Sequence, residues 1–97
     1  MEVNADTVVE AGGDHVAADL AEGLVILHLA DGIYYELNRV GSRVWALVQS
    51  PRRVGAVVAT LLEEYEVDAE VCESEVVALI TDLARHDLVR IANRPPD

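Results

Sequence analysis

Apolar positions run almost unbroken from Leu24 through Val25, Ile26 and Leu27, are interrupted by His28, and close at Leu29. A short run of that composition reads as a strand with neighbours on both sides. Asp31-Gly32 follows, the strongest short hairpin signal, because Gly accepts positive φ at no steric cost. Ile33-Tyr34-Tyr35-Glu36-Leu37 then alternates, with Ile33, Tyr35 and Leu37 on one face and Tyr34 and Glu36 on the other. His15 to Leu20, ahead of the Ala21-Glu22-Gly23 turn, supplies a first strand. From Asn38 the period lengthens. Asn38 can cap a helix whose face is Val40, Val44, Leu47 and Val48, ended by Pro51. Val54, Val57, Val58, Leu61, Leu62 and Tyr65 form a second helical stripe. Asp68 caps a third helix, with Glu70 in its first turn and Arg85 and His86 in its last, as the helix dipole favours. Cys72, Val76, Leu79, Ile80 and Leu83 are its buried stripe, and Leu88-Val89-Arg90-Ile91 closes the chain as an extended segment.

This order predicts an α+β domain: a three-stranded antiparallel meander followed by three helices gathered on one side. The meander's second strand is central, which leaves the third as an edge unless the N-terminal tail or a partner covers it. Residues 1–13 lack periodicity and end in Gly12-Gly13, so they read as a flexible tail. The folded domain is expected over residues 14–92, and 93–97, with Pro95-Pro96, as a second tail.

Composition narrows the partners. The chain has 97 residues, 52% of them hydrophobic, with no Phe and one Trp, so one core built of Val, Leu, Ile and Ala is expected. Eighteen acidic residues face seven basic ones, a formal charge of −11. Phosphate binding needs Lys and Arg, so nucleic acid and anionic membranes are disfavoured. The acid keeps the chain soluble, and it also favours a basic partner. Cys72 stands alone and cannot form an internal disulfide, which fits a reducing compartment. The acidic start Met1–Asp6 lacks the positive region of a signal peptide. The Leu24–Ala30 run is too short to span a bilayer, so a cytoplasmic location is expected.

Candidate chemistry is sparse. His15, His28 and His86 share no ligand spacing, and no Gly pattern matches a nucleotide loop, so neither a metal nor a cofactor is expected. Cys72 lies on an apolar stripe among Glu70, Glu73 and Glu75, which oppose a thiolate. No residues are assigned a catalytic role, and the chain is expected not to be an enzyme.

The stretch from Ala30 to Val48 carries a Gly turn, a Tyr-Tyr-x-Leu-Asn segment (Tyr34–Asn38), and Gly41-x-x-x-Trp45-x-Leu47 on a helix. With Leu61-Leu62-x-x-Tyr65-x-Val67-Asp68 and the closing Leu88-Val89, it resembles the PqqD-like family over roughly residues 20 to 91. That resemblance implies a winged-helix-like fold that binds the leader of a ribosomally made precursor peptide. It is most similar to the discrete leader-binding proteins of lasso-peptide biosynthesis, whose partner is a cysteine-protease-like leader peptidase. An alternative is a peptide chaperone that presents a precursor to a radical enzyme. A winged-helix transcription factor fits the fold but not the charge. Two positions depart from the family pattern: Arg53 stands where Thr or Ser often precedes the second helix, and Asp87 where Gly usually precedes the closing Leu-Val.

The resemblance further implies a groove between the third strand and third helix, into which the leader adds as an extra strand. The expected peptide-binding residues are Ile33, Tyr34, Tyr35, Glu36 and Leu37 on the strand. On the helix, the face beside the core stripe reads Glu73, Val77, Ile80 and Ala84, with Val76 shared. Tyr35 shares a face with Ile33 and Leu37, so its side chain is assigned to sheet packing.

Overall fold

The structure is a computed structural model that describes residues 3–92. Its elements are β1 (Val8–Ala11), β2 (His15–Leu20), β3 (Gly23–His28), β4 (Ile33–Asn38), α1 (Arg39–Leu47), β5 (Arg52–Arg53), α2 (Val54–Glu64), α3 (Ala69–Arg85) and β6 (Val89–Ala92). The meander is present as β2-β3-β4, antiparallel throughout, with β3 central. Gly32 takes φ +70° in the β3–β4 turn, where the Asp31 side chain accepts from the Ile33 N–H at 3.0 Å.

A second sheet, in the order β5-β1-β6, corrects the expectation of a tail to residue 13. Val8 and Val9 are buried, and β1 pairs with Arg52–Arg53 on one side and with Val89–Ala92 on the other. A four-residue strand is too short for its alternation to stand out. Its strand partners lie more than 40 residues away along the chain. The expected second tail, 93–97, lies outside the described residues.

The helix starts follow the local chemistry. Asn38 accepts from the Gly41 N–H at 2.8 Å, and Asp68 from Glu70 and Val71 at 3.0 and 3.1 Å. At α2 the cap residue is Arg53, which makes no side-chain cap bond. The N-terminal segment substitutes: Val54 N–H donates to the Thr7 carbonyl at 2.8 Å and Gly55 N–H to that of Ala5 at 2.9 Å. Asp87 sits at φ +58°, so the left-handed turn that Gly would make survives with Asp, a residue that tolerates this region.

The core joins Leu24, Ile26 and Leu37 of the meander to Val44, Trp45 and Val48, to Val57 and Leu61 of α2, and to Cys72, Val76, Ile80 and Leu83 of α3. Val40, assigned to the buried face of α1, is instead exposed and opens onto a groove beside β4.

Candidate functional site: an open strand edge beside an apolar groove

α1 packs on β3 and β4, whereas α3 packs on α2 and β6. A gap is left between β4 and the first half of α3, and a groove of about 440 Å³ fills it. Glu36, Leu37 and Asn38 form one wall, and Val67, Val71, Cys72, Glu75, Val76 and Leu79 the other. Val40, Gly41, Val44, Leu61 and Tyr65 lie between them. Val44 and Leu61 are buried and make an aliphatic floor, Cys72 and Val76 are buried in the α3 wall, and Val67 and Val71 stand exposed at the rim. Glu36 and Glu75 are the lining carboxylates.

Gly41 allows the chain to turn directly from β4 into α1. A Cβ there would sit 3.3 Å from both the capping Asn38 Oδ1 and Leu37 Cβ. Ser42 Oγ completes the corner by donating to the Asn38 carbonyl at 2.8 Å.

β4 is an edge of its sheet, and β1 pairs elsewhere. The register shows which backbone groups face out. Leu29 N–H donates to the Asp14 carbonyl at 2.9 Å, so Leu29 points its groups toward β2. Direction alternates along a strand, so His28, Ile26 and Leu24 point theirs toward β4, where their partners are Ile33, Tyr35 and Leu37. Tyr34 and Glu36 therefore carry the outward N–H and C=O groups.

The expected binding residues separate into three sets. Glu36, Leu37 and Val76 line the groove. Ile33, Tyr34 and Tyr35 lie on the same edge strand beyond the cavity. The Tyr35 ring turns inward against His86, centroids 4.8 Å apart, and burial with Asp31 and Asp82 nearby pushes its hydroxyl above the usual phenol range. Glu73, Val77, Ile80 and Ala84 do not line the groove. Ile80 is fully buried, Val77 and Ala84 pack against the core, and Ala84 borders a smaller depression of about 180 Å³ with Val3, Thr81 and Arg85.

Around α3, at about 100° per residue, the stripe Cys72–Val76–Ile80–Leu83 has two flanks. The groove takes the Val71–Glu75–Leu79 flank, opposite to the one expected. A signal for it was present: Val71, like Val77, is an aliphatic residue off the stripe.

Cys72 is in the groove wall, and burial, with Glu75 alongside, pushes its thiol above the ordinary range. That opposes a nucleophilic thiolate. His28 is buried with Nδ1 3.1 Å from Asp31, in poor alignment for a hydrogen bond, and His15 meets Trp45 edge-on at 4.9 Å. No group of three His, Cys, Asp or Glu able to hold a metal occurs among the described residues, and no helix there is long and apolar enough to cross a membrane.

An open sheet edge beside an apolar groove in an α+β fold is the geometry on which extended peptides can add as strands. The family model for coenzyme PQQ synthesis protein D (PqqD) matches residues 23–89, and the chain belongs to that family. Among solved structures, it resembles TbiB1 in complex with the TbiA(beta) leader peptide: TM-score 0.74, 29% identity, covering 89% of this chain and 98% of that one. It also resembles the fold of a lasso peptide synthetase B1 complexed with the leader peptide, with TM-score 0.74, 23% identity, and coverage of 84% and 96%. No curated protein sequence is significantly similar.

Proposed function

We propose that the chain binds the leader segment of a ribosomally made precursor peptide and, without chemistry of its own, delivers it to a separate cysteine-protease-like leader peptidase. The observation that carries this reading is the open edge of β4 beside an apolar groove of about 440 Å³. An extended leader adds antiparallel to β4, exchanges backbone hydrogen bonds with Tyr34 and Glu36, and sets alternate side chains into the groove. Support comes from the relative at 29% identity, described as a complex with a leader peptide.

Magnitudes divide the labour. Each aliphatic anchor buried in the groove contributes about 1.5–3 kcal/mol, whereas an exposed charge pair contributes about 0.2–1 kcal/mol. Apolar anchors therefore set affinity, while Glu36 and Glu75 favour leaders with Lys or Arg beside those anchors. The family's description as a coenzyme PQQ synthesis protein favours a second reading, in which the recipient is a radical enzyme. The binding physics is the same in both.

The test uses, as a fluorescent synthetic probe, the TbiA(beta) leader peptide bound by the 29%-identical relative. Anisotropy should give a Kd of about 0.1–10 μM. Mass spectrometry should find the peptide intact after incubation with this protein alone. Leader cleavage by the protein alone overturns the reading, as does the absence of saturable binding.

A further inference from the structure

A sheet packed on its core through one face usually alternates apolar-in with polar-out. The meander does not. Its inner face is Leu24, Ile26, Leu37 and their neighbours in the core. On the outer face, Val16 pairs with Leu27 and Leu27 with Tyr34, while Ala18 pairs with Val25 and Val25 with Glu36. Leu20 extends the same face. Val16 is 55% exposed, Leu20 50% and Tyr34 68%. Glu36 is the charged member of an otherwise aliphatic and aromatic surface, and neither a helix nor the second sheet covers it. Contiguous apolar surface of this kind is often functional.

From these observations, and resting on the leader-binding reading, we infer that the outer face of β2-β3-β4 is the docking surface for the enzyme that receives the peptide. The occupant is a folded protein with an apolar patch rimmed by Lys and Arg.

Charge decides between that partner and a second copy. Asp14, Glu22 and Asp31 stand at the ends of these strands, and Glu36 lies on the face itself. Arg39, the neighbouring base, is already 3.5 Å from Glu22. Two copies meeting here would bring acidic rims together between chains of formal charge −11 each. A basic rim is attracted instead.

Size agrees. Three strands of six residues span about 14 by 20 Å, on the order of 300 Å², against about 800 Å² per partner in a stable interface. The face alone suits transient docking rather than a permanent dimer. Strand addition at β4 would lengthen the same sheet, so a protein seated on this face lies directly beside the bound peptide.

The test uses two variants, Val16→Glu and the uncharged double variant Val16→Thr with Leu20→Thr. All the altered side chains are at least half exposed and lie on β2, away from the β4 edge. The probes are the labelled leader and a purified cysteine-protease-like leader peptidase of the lasso-peptide type. Both variants should melt like the wild type and bind the leader with unchanged Kd. Both should lose peptidase binding at least tenfold and slow leader removal accordingly. Wild-type peptidase affinity in folded variants overturns the docking surface and leaves leader binding standing. A wild-type protein that fails to bind the leader overturns both. Sedimentation showing a wild-type dimer that the variants dissociate assigns the face to a second copy and also overturns the inference.

Discussion

Val71 and Val77 differ by six positions on one helix and look alike in the sequence, yet they lie on opposite flanks of α3. Val71 is 52% exposed at the groove rim, and Val77 packs against the core. Val71→Asp should leave the fold intact, place a charge where an apolar anchor enters, and weaken leader binding about tenfold, or ~1.4 kcal/mol. Val77→Asp should lower the melting temperature without a comparable loss of affinity in the fraction that stays folded. Leader titration beside thermal melts separates the two. Equal affinity losses at both positions would place the anchors elsewhere. Cys72, in the same wall, illustrates how burial and a neighbouring carboxylate turn a thiol at the groove into a small apolar side chain.

β4 does two things at once: Leu37 closes the core with its side chain, and the strand exposes a backbone edge. The two roles fall on alternate residues, because side chains and backbone groups both alternate along a strand. Tyr34→Pro removes an outward N–H and keeps the ladder to β3. It should fold and bind the leader at least several-fold more weakly. Tyr35→Pro removes a bond to β3 and should lower the melting temperature itself. Circular dichroism with anisotropy reads both, and a folded Tyr34→Pro variant with wild-type affinity would rule out strand addition at this edge. The N-terminal segment shows the same economy. Ala5 and Thr7 supply carbonyls that cap the start of α2, and Val8 and Val9 supply core. The start of the chain thereby replaces the side-chain cap that Arg53 does not make.

Over the whole molecule, the excess of acid acts on association rather than on fold. Glu36 and Glu75 stand at the groove, and salt screens such exposed charges within about 8 Å at physiological ionic strength. Raising salt from about 50 mM to 500 mM should weaken leader binding a few-fold and leave the apolar contribution in place. Affinity unchanged across that range would show that the acidic residues do not select the leader.

What the sequence determined by itself was local. The meander, the Asp31-Gly32 turn, the caps Asn38 and Asp68 and, Val40 apart, the helical stripes all follow from periodicity and short-range hydrogen bonding, and all lie within a few residues of their cause. The family motif lies in the same stretch, which is why the binding class was also legible there. Tertiary structure decided the rest. Val8–Ala11 becomes a strand only because Arg52–Arg53 and Val89–Ala92 flank it. The groove takes the Val71 flank of α3 rather than the Val77 flank, because α3 packs on α2 and β6 and so turns that side toward β4. A helical stripe states which face is buried. It is symmetric about its centre, so the choice of flank comes from the angle at which distant elements meet.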